Sequence, residues 1–403
     1  MNLLYLSPWF PFPPTNGSEL RINALVRGLA ARHEVTLLSF HRRPVDPRGL
    51  AEAREILADV HLVPWREFDP RSSRARLGLL SPRPRSVVDT WSAEMDALIR
   101  EMVAMHQYDA VIASELTMAS YWSAWGDLDA VADDIELAAF REQTHLTASP
   151  TTRARRSLMW AKLRVYVRGL LPRFAAVTVV SARERDLLRQ IASGYSAVAL
   201  VPNGIDAAAC AGVRAVHNPD TLIFTGAFTY KANHEAMVWF LSEVYPIIRQ
   251  AAPRVRLTIT GDHAGKPLPP AEDVTLTGFV DDVRPLVAGA GAAVVPIRQG
   301  GGTRLKILEA MALGTPVIST TKGAEGLAAI DGKHLLLGDT PEAFAAAVLK
   351  LHAEPALRQS LANNARQLIS ELYDWEVVLP RFMGLVEGVA SQPGIPRHFH
   401  APF

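Results

Sequence analysis

The chain has one cysteine, Cys210, among 403 residues. That excludes an internal disulfide and any multi-cysteine metal site, and it fits a reducing compartment. No apolar run approaches the roughly 18 residues that a membrane-spanning helix requires. The stretch Met1 to Pro14 has no basic leader or cleavage signature, and prolines break it, so no secretory leader is expected. Charge of either sign is not in excess: 42 basic and 41 acidic residues leave a formal +1, which gives no global pull toward nucleic acid. A cytoplasmic protein without a nucleic-acid partner is the expectation. Several cofactor signatures are missing too. No GxGxxG follows the first apolar strand, which weakens a dehydrogenase reading. Gly261 to Pro267 imitates a P-loop but is one residue short and ends in proline. Asp127-Leu128-Asp129 has a D-x-D spacing that arises by chance in most chains of this length. Neither a metal nor a cofactor is expected.

What is present is core material. At 49% hydrophobic and 21% charged, the chain has more apolar side chains than one core usually serves, which predicts two domains. Short β-rich runs alternate with stretches of helical period, the pattern of parallel sheets covered on both faces. One series runs from Asn2–Ser7 through Glu34–Phe40, Val60–Pro64, Asp109–Ser114 and Ala130–Asp133 to Ala175–Ser181. A second runs from Thr221–Ala227 through Val255–Gly261, Val274–Val280 and Ala292–Ile297 to Pro316–Thr320. Met237, Phe240, Leu241, Val244 and Ile248 form a buried helical stripe that Pro246 is expected to kink. The Pro and Asn-Gly signals in 201–206 mark the junction. The expected domains are 1–198 and 199–372, followed by a helix and flexible tail over 373–403.

The densest chemical signal lies between Gln299 and Val317. Gly300, Gly301, Gly302 and Thr303 follow an apolar strand and open a helix, where bare amides and the helix dipole suit a phosphate. Arg304 and Lys306 add cations, and Glu309 lies one turn on, where it could take hydrogen bonds from ribose hydroxyls. An ordinary glycine loop with a solvated basic helix start is the competing reading. A second turn carries Gly226, where a backbone passes close to something, with Lys231 and Asn233 within reach of an anion. A third holds Gly17 before a helix start. Asp134, at a carboxyl strand end, reads either as a sugar-hydroxyl partner or as a helix N-cap. Backbone near Phe279 and Val280 is the expected site of base selection.

Taken in order, ProProThrAsnGlySer near Gly17, ValValSerAlaArgGluArgAspLeuLeu from Val179, ValProAsnGlyIleAsp from Val201, GlyAlaPheThrTyrLysAlaAsnHisGluAla from Gly226 and LysIleLeuGluAlaMetAlaLeuGlyThrProValIle from Lys306 resemble the retaining glycosyltransferases of family four. The resemblance covers nearly the whole chain. It implies the GT-B fold: α/β, with two doubly wound Rossmann-like domains facing across a cleft. The donor is implied in the second domain and the acceptor on the first, with the C-terminal helix returning to the first. It further implies metal-independent transfer from a nucleotide-diphosphate sugar to a glycan or lipid-linked acceptor. Glu309 matches the ribose-binding glutamate and the preceding glycines match the phosphate loop. Arg304, Lys306 and Lys231 are the candidates to neutralise the departing diphosphate. There are departures: Gly301 stands where a glutamate often lies, Ala227 where an arginine often follows, and Asp133-Asp134 where a histidine often sits. A non-catalytic nucleotide-sugar binding subunit and a GT-B epimerase are the alternatives.

Between Thr151 and Arg173 there are seven basic residues and no acidic ones. Trp160, Leu163, Val167, Leu170 and Leu171 make an apolar stripe along this segment. It reads either as a core-facing helix with a charged edge or as a peripheral membrane contact through 151–173.

Overall fold

The structure is a computed structural model that describes residues 1–42, 44–144, 149–301 and 304–391. The chain divides into two compact units, Met1–Pro202 together with the chain from Leu379, and Asn203–Val378. Each unit is built on one sheet whose strand pairs are parallel.

The first sheet contains β1 (Asn2–Ser7), β2 (Glu34–His41), β3 (Asp59–Pro64), β4 (Ala110–Ser114), β5 (Ala130–Asp133), β6 (Ala176–Val179) and β7 (Val198–Leu200), in the order β3-β2-β1-β4-β5-β6-β7. The second contains β8 (Asn218–Thr225), β9 (Arg256–Thr260), β10 (Val274–Gly278), β11 (Ala290–Val295), β12 (Val317–Ser319) and β13 (Leu336–Leu337), in the order β10-β9-β8-β11-β12-β13. Both sheets are doubly wound. The order reverses between β1 and β4 in the first and between β8 and β11 in the second. Successive crossovers leave those two pairs in opposite directions, which opens a crevice at their carboxyl ends, where such sheets take ligands.

The central strands are buried on both faces, as expected of near-continuous apolar runs in parallel sheets. β7 and β13 went unread in the sequence because three and two residues carry no period. The run expected to reach Val280 stops at Gly278, which turns to φ +71°. Met237, Phe240, Leu241, Val244 and Ile248 are all buried. The kink expected from Pro246 takes the form of a π-turn, Phe240–Val244. It precedes a new helical segment, Tyr245–Ala251, that holds the proline in its first turn, where a missing N–H costs little.

The entry and exit of the second unit are stitched together. Ile205 N donates to Tyr373 O at 2.8 Å and Trp375 N to Ile205 O at 3.1 Å. The Trp375 ring closes over Gly204 so tightly that a Cβ there would lie 2.5 Å from it. The helix Trp375–Ala390 then carries the chain into the first unit. There a Cβ on Gly28 would stand 2.9 Å from a Leu379 methyl, and His33 meets Glu387 at 3.0 Å. Among the described residues no helix is long and apolar enough to cross a membrane.

Candidate functional site

In the second unit, β8 ends at Thr225 and hands the chain to Gly226 at φ +145°. A Cβ on Gly226 would lie 2.7 Å from Asn233 Nδ2 and 2.8 Å from Lys306 Nζ, so only glycine lets these groups approach the backbone. Asn233 is buried in the helix Lys231–Trp239 and donates from Nδ2 to Ala227 O at 2.8 Å. That bond fixes the amide so that its oxygen accepts from Lys306 Nζ at 2.8 Å. The ammonium also lies 4.3 Å from the centre of the Phe224 ring. Burial, with the neighbouring Arg304 adding to it, lowers the Lys306 pKa to about 7. The site thus holds a lysine whose charge is weakened by burial and would be favoured by an arriving anion.

The facing turn follows β11. Gly300 takes φ +101°, and a Cβ there would lie 2.5 Å from Tyr230 Oη, which donates to Gly301 O at 3.1 Å. Arg304 is buried and donates to Lys322 O at 2.9 Å and Gly300 O at 3.3 Å, with Glu325 at 3.9 Å. It therefore clamps the loop as well as adding charge. Gly302 and Thr303 lie outside the described residues. The helix Leu305–Leu313 runs from this turn to Gly314, whose φ of +77° closes it. Burial, first, holds the Glu309 carboxyl above its ordinary range, opposed by Arg284, and no hydrogen bond from the described residues offsets it.

The structure thus brings Gly226, Asn233, Lys306, Gly300 and Gly301 together at the β8/β11 switch point. Lys231 is not among them: its side chain is 81% exposed and pairs with Glu235 at 3.1 Å. Phe279 and Val280 follow the end of β10, with Phe279 exposed.

In the first unit, the β1/β4 switch point is spanned by a contact that sequence reasoning missed. Trp9 Nε1 donates to Glu115 Oε1 at 2.9 Å. Burial raises the Glu115 pKa, tempered by Trp9, Arg42 and Ser18. Ser18 belongs to the helix Gly17–Ala30, so a carboxylate faces the turn in which Gly17 was nominated. The next strand ends alike. Glu115 and Asp134, each one residue past its strand, share φ +58°, a left-handed conformation that costs a non-glycine residue about 1–3 kcal/mol. Asp134 N donates to Thr178 Oγ1 at 3.1 Å, while its Oδ1 is buried with no hydrogen-bond partner among the described residues. Burial, opposed by Arg21 and reinforced by the neighbouring Glu136, Asp133 and Glu115 carboxylates, holds this carboxyl well above its usual range.

The N-cap reading of Asp134 is overturned, since the next helix, Ala138–Gln143, begins after Leu137. Asp133 has a structural partner: Arg21 binds it at 2.7 and 3.2 Å and also reaches Val201 O at 3.0 Å and Pro202 O at 3.2 Å. The only advance signal for Glu115 was an acidic residue directly after a strand. Its place beside β1 depends on strand order.

Residues 16–204 match the model of a glycosyl transferase 4-like domain, and residues 219–354 match that of glycosyl transferases group 1. The chain is 28% identical over 218 residues to the glycogen synthase of Mycobacterium tuberculosis, across 50% of this chain and 51% of that protein. It is 25% identical over 170 residues to an uncharacterized 44.6 kDa protein in the cps region of Klebsiella pneumoniae, across 40% and 44%. The chain therefore spans about half the length of the curated relatives it matches. Among solved structures, it superposes on sucrose-phosphate synthase from Thermosynechococcus elongatus with a TM-score of 0.68 at 19% identity, covering 97% of this chain and 100% of that one. It superposes on Anabaena HepE in complex with UDP with a TM-score of 0.63 at 17% identity and the same coverage. Two matched domain models and two doubly wound sheets lead to one statement: residues 16–204 form a glycosyl transferase 4-like domain and residues 219–354 a glycosyl transferases group 1 domain, in a chain with the GT-B fold.

Proposed function

We propose that the protein is a retaining glycosyltransferase, needing no metal or cofactor, that moves a sugar from a nucleotide-diphosphate donor to a glycan or lipid-linked acceptor. The observation that carries this reading is the buried Lys306 ammonium, held by Asn233 against the bare backbone of Gly226 at a switch point. In the reaction, the bond from the anomeric carbon to the diphosphate breaks, the acceptor oxygen bonds the same face, and the acceptor's hydroxyl proton passes to the departing diphosphate. Negative charge grows on the departing diphosphate, where Lys306, Arg304 and the amides around Gly300 would stabilise it. Glu309 would take the ribose hydroxyls, and backbone near Phe279 and Val280 the base. In the first unit, Asp134 and Glu115 would accept hydrogen bonds from the acceptor hydroxyl.

A non-catalytic nucleotide-sugar binding subunit is the second reading, favoured by Gly301 in place of a carboxylate. The test incubates the protein with uridine, guanosine and adenosine diphosphate sugars, with and without chelator, and follows product and its anomeric configuration by NMR. Product with retained configuration in chelator supports transfer. Nucleotide binding without turnover supports the binding subunit. Failure to bind any nucleotide diphosphate ends both readings.

A further inference from the structure

The apolar stripe seen in the sequence between 150 and 171 faces inward: Leu163, Val167, Leu170 and Leu171 are buried in the core and Trp160 packs against it. It is therefore not a membrane contact. The opposite face of the same helix, Pro150–Leu170, is different. Lys162 Nζ donates to Leu79 O at 2.8 Å and Gly78 O at 3.0 Å, which pins a separate turn against this helix. Four residues before Lys162 and three after it, on the same helical face, stand Leu158 and Val165, the latter 70% exposed. The pinned turn adds Leu77, Leu79 and Leu80, with Leu80 89% exposed. Five apolar side chains thus project to solvent around one lysine that is occupied with backbone.

The charge around them has one sign. The segments 70–85 and 149–173 contain twelve lysines and arginines and no acidic residue, in a chain whose overall charge is +1. Exposed Arg76 and Arg83 flank the leucines on the turn, and Arg155 lies two helical turns before Lys162. From this juxtaposition we infer that the turn Leu77–Leu80 and the Leu158–Val165 face of the helix form a docking surface for an anionic phospholipid bilayer. The leucines enter the acyl boundary and the guanidinium groups meet the headgroup phosphates. A bilayer fits better than a protein partner. Isolated, protruding leucines would each need a matching pocket in a protein, whereas lipid accommodates them without one, and the single-sign charge matches an anionic surface. Vesicle binding needs no sugar transfer, so this inference and the proposed activity can fail separately.

The test is sedimentation of the full chain with vesicles of phosphatidylcholine alone or mixed with phosphatidylglycerol. Binding is expected only with the anionic lipid and is lost in 0.5 M salt. Leu80→Asp and Arg76→Glu/Arg83→Glu should each lower the bound fraction at least tenfold at unchanged thermal stability, since these side chains are exposed. In a parallel measurement on the Leu80→Trp variant, fluorescence of the introduced indole should shift to the blue and be quenched by brominated acyl chains. No binding to anionic vesicles overturns the inference, as does binding that leaves the introduced indole's emission unshifted. So does a self-association without lipid that Leu80→Asp abolishes, since that would make a second copy the occupant.

Discussion

Lys306 Nζ and Asn233 Oδ1 lie 2.8 Å apart, and this bond is the main restraint on a buried ammonium whose pKa has fallen to about 7. A bound diphosphate would restore its proton. Between pH 7 and the higher pKa of the complex, nucleotide affinity should therefore fall by up to about tenfold per pH unit. Calorimetry in buffers of different ionisation enthalpy should record proton uptake on binding at pH 8.

The same burial has a cost in the free protein. The folded pKa lies below the ordinary 10.5, so the penalty is fully present below about pH 7 and relieved as pH rises toward 10.5. Lys306→Met should therefore raise the free protein's unfolding midpoint at pH 6, with the gain shrinking by pH 10, while abolishing stabilisation by nucleotide diphosphates. Differential scanning fluorimetry at both pH values reads both effects.

Gly226→Ala places a methyl where Asn233 and Lys306 now stand and forces a side chain into φ +145°. The expected loss of stability is about 1–3 kcal/mol. The expected loss of nucleotide affinity, read by titration, is larger, on the order of a hundredfold or about 2.7 kcal/mol, because the cation and its amide support are displaced together.

Asp134 and Glu115 should separate from the donor site in kinetics. Asp134→Asn and Glu115→Gln are expected to raise the acceptor KM or lower kcat at least tenfold while leaving nucleotide affinity within about twofold. Asp134→Asn should also stabilise the fold at pH 8. Its carboxyl titrates well above 3.8, so the cost of the buried charge is present at high pH and gone once pH falls below 3.8. Urea unfolding at pH 8 and pH 4 tests the difference.

Arg21→Met strips the guanidinium from Asp133, which keeps the Thr178 hydroxyl at 2.6 Å, and leaves the Val201 and Pro202 carbonyls without their donor. A loss of about 3–5 kcal/mol is expected from the uncompensated buried charge. Arg21→Met/Asp133→Leu should recover much of it.

The strands that carry the site were legible in the sequence because parallel sheets demand long apolar runs. The glycines at 226 and 300 were legible because close backbone approach excludes a Cβ. Strand order was not legible, and with it went Glu115 and Trp9, more than a hundred residues apart in sequence and joined only because β4 lies beside β1. Lys231 and Lys306 looked alike as cations near a turn. Helix phase and the Phe224 ring bury one, while the other projects to solvent beside Glu235. The polarity of the 150–170 helix was read correctly in pattern, but which face meets the core depends on what packs there.

The stitch between Ile205 and Tyr373 makes the second unit a closed insert, with its two ends bound side by side. During synthesis the first unit is interrupted at Pro202 and regains chain only at Leu379. At about 5–20 residues per second, its terminal helix emerges roughly 10–35 s after the body it must cover. Until then the groove at Gly28 and the His33 ring stay open to water. A released chain that ends just before Leu379 should thus present a protease-resistant insert on an unfinished host.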